Sequence, residues 1–217
     1  MLDYLVFLGS VRESAPPRPA RLGLRVARAC LARLAARGRA EARLIDPLEL
    51  ESRAVFKPHF AYAPGQAPAD LDALAAAIEA ADGYLMVSPE YNHSMSPALA
   101  DLLNHFGASR FAYKPSLIVT YSAGQWGGAR AAVQMRAFLS ELGCLPVSAM
   151  LHVPKAQEVF DEVGSSAPGA DAAAWTRYLD RAFDQLDWWA EAAKARRAPG
   201  QGRADAFIRA PSERNAP

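Results

Sequence analysis

Apolar residues recur along the chain in two rhythms, short unbroken runs and longer stretches spaced by three and four. Residues 4–8 (Tyr-Leu-Val-Phe-Leu) carry no polar break and stop at Gly9-Ser10, which predicts a strand buried on both faces. Leu22, Val26, Ala29 and Leu34, with arginines between them, predict an amphipathic helix over about 19–36. Residues 42–45 form a weaker strand halted by Asp46-Pro47. The proline-rich stretch 46–69 reads as an ordered loop with no regular element. Asp70 is placed to cap an alanine-rich helix that Asp82-Gly83 closes.

Residues 84–88 are the next buried run, and Ser96-Pro97 has the character of a helix start, with that helix reaching about Phe106. A strand over 117–121, a helix to Leu142, a strand near 146–150, an irregular stretch from Pro154 to Asp171 and a long helix over about 172–196 complete the series. Strand and helix alternate throughout, so the expected fold is α/β: a doubly wound, five-stranded parallel sheet with helices on both faces. This rhythm suits the flavodoxin-like order, and a Rossmann domain shares it. Residues 1–196 are expected to form a single domain and 197–217 a flexible tail.

Composition narrows the class. With 217 residues and 51% apolar content the chain can bury a full core. A net charge of +1 gives no basic field for nucleic acid. Cys30 and Cys144 are too few for a disulfide framework or a zinc site and read as small core residues. No apolar run approaches the roughly 18 residues that cross a bilayer. The start lacks a basic region and carries Asp3, a poor signal peptide, so the expectation is a cytoplasmic protein.

In open α/β sheets ligands bind beyond the carboxyl ends of the strands, where strand order reverses. Three loops leave such ends with unusual composition. The first, Gly9-Ser10-Val11-Arg12-Glu13-Ser14, combines a glycine turn, hydroxyls, a guanidinium and a helix start, donors that suit a phosphate. It is neither a Walker A loop nor GxGxxG, and a plain polar turn explains it equally well. The second, residues 88–94, sets Tyr91 among hydrogen-bonding groups, a wall for a planar heterocycle or simply a Pro-Asn turn. His93 there reads as solvated rather than as an acid–base group. The third holds Gly124, Gly127 and Gly128, whose missing side chains let backbone lie flat on a ligand or merely bend. Trp126 between them is placed to cover a ligand or to pack on a neighbouring subunit. Together the loops suit a mononucleotide with a large flat ring, such as FMN.

Gly9-Ser10-x-Arg12-x-Ser14, Pro89-Glu90-Tyr91-Asn92-x-Ser94-x-x-Pro97-x-Leu99 and Ser122-x-Gly124-x-x-Gly127-Gly128-x-Arg130 resemble the motifs of the NAD(P)H-dependent FMN reductase family, flavodoxin-like proteins that include quinone, azo-dye and chromate reductases. The resemblance covers about residues 3–155, and Leu186-Asp187-Trp188-Trp189-Ala190 is similar to the last helix of some members. It implies that Ser10, Arg12 and Ser14 bind the FMN phosphate. It further implies that Pro89, Glu90, Tyr91 and Asn92 line the ring and ribityl chain, and that Ser122, Gly124, Gly127 and Gly128 approach the ring from the opposite loop. Two departures stand out. Ala15-Pro16-Pro17-Arg18-Pro19 resembles an insert in the phosphate loop, leaving Arg18 or Arg21 as candidates to complete it. Ala100 and Asn104 replace a lysine and an aspartate usual in a helix that often lies at a subunit interface in relatives.

The expected activity is ping-pong hydride transfer from NADPH (or NADH) through FMN to a small acceptor: flavin, quinone, azo compound or similar. The flavin carries the chemistry, so no catalytic side chain and no metal site are expected. Partners are limited to the small-molecule electron acceptor and further copies of the chain, as a homodimer or homotetramer, with no nucleic acid and no membrane. Two rivals share the fold: an electron-carrier flavodoxin, which the near-zero net charge disfavours, and a flavin-free binding or regulatory protein.

Overall fold

A computed structural model describes residues 1–12, 21–51, 53 and 55–197. The five strands are β1 (Leu2–Leu8), β2 (Ala40–Ile45), β3 (Gly83–Pro89), β4 (Pro115–Tyr121) and β5 (Leu145–Val153). All pair in parallel, in the order β2-β1-β3-β4-β5. This is the doubly wound flavodoxin-like order, with its reversal between β1 and β3. The helices are α1 (Leu22–Arg37), α2 (Ala69–Ala80), α3 (Pro97–Asn104), α4 (Ala108–Phe111), α5 (Ala129–Glu141), α6 (Ala156–Val159) and α7 (Ala172–Arg197).

Alternation along the strands divides the core in two. Tyr4, Val6 and Leu8 of β1 point to the face covered by α1 and α7, where Val26, Leu34, Phe183 and Leu186 pack. Leu5 and Phe7 point to the other face and meet Leu74 and Ile78 of α2, Leu99 and Leu103 of α3, and Met135 of α5. Because both faces are covered, β3 and β4 are buried along their whole length, with Ser88, Ser116 and Thr120 the polar positions among apolar ones.

Two buried polar anchors hold the layers together. The Tyr4 hydroxyl donates to Asp187 Oδ1 (2.8 Å), and Arg37 Nη2 reaches the other carboxylate oxygen at 2.8 Å. Lys114 Nζ donates to the carbonyls of Ile78 (2.6 Å), Glu79 (2.7 Å) and Arg110 (3.1 Å), so one ammonium satisfies the end of α2 and the α4 turn. Along the outer edge of β5, Gln185 Oε1 accepts from the Ala149 N–H (2.5 Å). The Tyr178 hydroxyl accepts from the His152 N–H (3.1 Å) and donates to the Met150 carbonyl (3.3 Å). Arg136 donates to the Val147 carbonyl (3.0 Å).

Several boundaries differ from expectation. β2 begins at Ala40 and β5 runs from Leu145 to Val153, both longer than their apolar cores. The stretch 46–69 contains two 3₁₀ turns, Pro47–Glu49 and His59–Ala61, and the stretch after Pro154 contains α6. Ser96 caps α3 as expected, its hydroxyl accepting from the Leu99 N–H (3.1 Å), although that helix ends at Asn104. Asp70 does not cap α2: Pro68 holds that position. The Asp70 carboxylate instead accepts from the Glu51 N–H (3.1 Å) and pairs with Arg53, so it staples the preceding loop to the first turn. Arg197 belongs to α7; the remainder of the expected tail lies outside the described residues.

Candidate functional site

The carboxyl ends of β1, β3 and β4 lie side by side, with Leu8 opposite Val87 and Pro89 opposite Tyr121. The three loops singled out by sequence therefore leave one edge of the sheet together. Side-chain contacts join them. Arg12 Nε donates to the Tyr91 hydroxyl (3.2 Å), linking loop one to loop two. Arg130, in the first turn of α5, grips Glu90 of loop two through Nε (2.7 Å) and Nη2 (2.5 Å) on Oε1.

Loop one starts from a close approach. The Gly9 N–H donates to the Val87 carbonyl (2.7 Å), and a Cβ at Gly9 would stand 2.8 Å from that oxygen and 2.9 Å from Ser96 Oγ. Only glycine fits there. Ser10 is buried and accepts from Arg21 Nε (3.3 Å). Arg21 forms a forked pair with Asp46 (2.5 and 2.8 Å), both side chains under 10% exposed (6% and 9%). Its charge is thus spent on the root of the loop, where it ties the start of α1 to the end of β2. Arg12 is exposed. Ser14 and Arg18 lie outside the described residues.

Loop two is a tight reversal. Tyr91 and Ser94 exchange backbone hydrogen bonds (3.0 and 2.9 Å) around Asn92 and His93, both left-handed at φ 51° and 63°. Asn tolerates that conformation better than most residues, so Asn92 has a conformational reason to be there. Pro89 ends β3 and is buried; Tyr91 is 38% exposed. Burial raises the Glu90 carboxyl, but the Arg130 guanidinium and the Ala131 N–H outweigh it and hold the group below the usual glutamate range. Glu90 is therefore an ionised strut between loop two and α5.

Loop three is organised by Ser122, whose hydroxyl donates to the Gly124 carbonyl (2.7 Å) and accepts from the Gly127 N–H (2.9 Å). Gly128 caps α5 at φ 77°, with a hypothetical Cβ only 2.7 Å from that of Thr120. The loop is stitched to the β5–α6 turn by Lys155 N–H to the Gly124 carbonyl (2.9 Å) and Gln157 to the Ala123 carbonyl (3.1 Å). The consecutive N–H groups of Ala123, Gly124 and Gln125 meet no acceptor among the described residues, and beside Gly124 a Cβ would touch nothing within 4 Å. A row of unspent donors next to open space fits the carbonyl and ring-nitrogen edge of a flat heterocycle.

Behind this loop Thr120 Oγ1 and His152 Nδ1 lie 2.8 Å apart, and burial pushes the imidazole below the usual histidine value. Neither residue had a sequence signal as a site residue. Arg130 did, as part of the third motif, but its partner Glu90 is 40 positions away. A cavity of about 500 Å³ opens on the other flank of loop one, lined in part by Val11, Leu48, Phe56, Leu102 and His105. Cys30 and Cys144 are buried, which pushes both thiols up to about 12, in keeping with core packing. Among the described residues no group of His, Cys, Asp and Glu is arranged to hold a metal, and no helix is long and apolar enough to cross a membrane.

Strand order defines a flavodoxin-like α/β protein, and the three joined loops form a candidate site at its β1/β3 reversal. The sequence matches the NADPH-dependent FMN reductase family over residues 3–158, and the chain belongs to that family. It is 43% identical over 75 residues to a quinone reductase of Escherichia coli K12, covering 33% of this chain and 40% of that protein. It is 37% identical over 109 residues to an NAD(P)H-dependent FMN reductase of Pseudomonas aeruginosa, covering 48% of this chain and 57% of that protein. These matches thus span less than two thirds of either relative. A flavoenzyme NAD(P)H:(acceptor) oxidoreductase from Paracoccus denitrificans superposes with a TM-score of 0.61 at 22% identity, covering 87% of this chain and 98% of that one, which supports the fold.

Proposed function

We propose that this chain is an NAD(P)H-dependent flavin oxidoreductase that binds FMN at the three-loop edge and reduces a small acceptor in a ping-pong cycle. The observation that carries the reading is the donor row of Ala123, Gly124 and Gln125, set on the loop joined through α5 and Glu90 to Tyr91 and, beyond it, Arg12. Membership of the FMN reductase family supports it.

In this reading Arg12, with Ser10 and Ser14, holds the phosphate. Tyr91, Pro89 and Asn92 border the ring on one side, and Ser122, Gly124, Gly127 and Gly128 on the other. FMN held by these residues would supply the redox chemistry, as acceptor of a hydride from NAD(P)H and donor of two electrons to the acceptor. The protein's own work is to orient and to polarise: unspent backbone donors stabilise negative charge at the ring edge, and Glu90, locked by Arg130, keeps the two loops at a fixed separation. No side chain is assigned a proton transfer. By analogy with the relatives, quinones and flavins are the acceptor classes, and NADPH the favoured donor. We place the enzyme in the cytoplasm, as a homodimer or homotetramer.

The test is anaerobic titration of the FMN-loaded protein with NADPH and with NADH, followed by addition of a quinone. Bleaching of the visible flavin band by pyridine nucleotide and its return with quinone are expected. A yellow protein that neither nucleotide bleaches is an electron carrier, and one that fails to take up FMN is not a flavoprotein.

A further inference from the structure

We propose that Trp126 selects flat aromatic electron acceptors, serving as a stacking platform that Arg130 and Glu90 hold in place; this inference rests on the flavin-reductase reading above. Between Ser122 and Gly128 the other positions are small or polar, and Trp126 is the single large apolar side chain. It is 64% exposed, although an indole is a large apolar group that burial would favour.

The ring is exposed but its base is fixed. The Trp126 carbonyl accepts from the Ala129 N–H (3.2 Å) at the entry to α5, and Gly127 and Gly128 follow in fixed left-handed conformations. The Arg130 guanidinium carbon stands 5.9 Å from the ring centroid. Arg130 in turn is forked onto Glu90, whose side chain is only 9% exposed. The indole is thus oriented by a cation without being covered.

Loop two repeats the device. Tyr91, 38% exposed, has the Arg12 guanidinium carbon 5.9 Å from its ring centroid. Two loops of one site each carry an exposed aromatic ring backed by an arginine. Such surfaces favour ligands with a π face, which stack on the exposed ring as nucleobases do on aromatic side chains. A naphthoquinone or an azo-arene gains this contact, while a compact hydrated anion such as ferricyanide does not.

The test compares FMN-loaded wild type with Trp126→Ala and Trp126→Phe. The dissociation constant of 1,4-naphthoquinone is read by calorimetry, and the ratio of kcat/KM for naphthoquinone to that for ferricyanide by steady-state assay. Trp126→Ala should weaken naphthoquinone binding about tenfold and lower the ratio by a similar factor, with Trp126→Phe restoring most of both. An unchanged dissociation constant and ratio in a flavin-loaded Trp126→Ala protein overturn the inference and leave the flavin-reductase reading intact. A fall in molar mass of that variant by light scattering also overturns it, since the indole would then belong to a subunit contact. Failure of wild type to bind FMN or to be reduced by NAD(P)H defeats the parent reading, and this one with it.

Discussion

Arg12 and Glu90 differ in what they do with their charge. The Arg12 guanidinium touches the Tyr91 hydroxyl, is exposed and pairs with no carboxylate among the described residues, so its charge remains available to an anion. If it holds the FMN phosphate, Arg12→Ala should weaken FMN binding by about 1.5–3 kcal/mol, measured by fluorescence titration of the apoprotein. Unchanged affinity would show that the phosphate is gripped elsewhere. Glu90 spends its charge on Arg130 and has its carboxyl held down in the folded chain. The stability it contributes is therefore fully present above its unfolded value near 4.5 and is lost as pH falls through the lower folded value. Glu90→Gln should cost about 1–3 kcal/mol in urea denaturation at neutral pH, and its acid unfolding curve should be shallower than that of wild type.

Among the elements, α2 and α7 are fixed by buried charge. Burial lowers the Lys114 ammonium to about 8, from 10.5 in an open chain, with Arg197 nearby acting in the same direction. The folded chain gives up this proton first as pH rises, so between these values the unfolded state binds more protons and stability climbs with pH. Lys114→Met should flatten that rise in denaturation midpoints measured from pH 8 to 10.5. On the opposite face, Asp187 is almost fully buried beneath Tyr4 and Arg37. Asp187→Ala removes the acceptor of the Tyr4 hydroxyl and one of three carboxylate partners of Arg37, which keeps Asp180 and Asp184, and should cost about 1–3 kcal/mol, seen as a drop in Tm. The central strands were legible because a sheet buried on both faces writes itself as apolar runs. The rhythm alone left the strand order shared between flavodoxin-like and Rossmann folds, and only the family resemblance favoured the observed one. The start of α3 was legible because Ser96 and Pro97 act within one turn. Asp70 misled because its carboxylate serves Glu51 and Arg53, contacts no local rule contains. The Glu90–Arg130 strut was invisible for the same reason, although both residues lie within the quoted motifs.

At the scale of the whole molecule, Val11, Leu48 and Phe56 surround one cavity and are each at least half exposed (50%, 54% and 50%). We propose that this mixed rim, which also carries Glu51, Arg53 and Asp101, is where copies of the chain meet in the proposed homo-oligomer. Light scattering at micromolar concentration should return at least twice the chain mass, and a monomer would count against that assembly.

The outer margin of β5 bears on how such assembly proceeds. A terminal strand ordinarily offers its amides and carbonyls to any extended peptide that drifts alongside. Here Gln185, Tyr178 and Arg136 already occupy those of Ala149, His152, Met150 and Val147. On that side the ladder is closed to newcomers, so copies of this chain can meet there through side-chain surfaces but not by lengthening the sheet. Stripping away the Tyr178 hydroxyl and the Gln185 amide together would reopen a template for fibre growth.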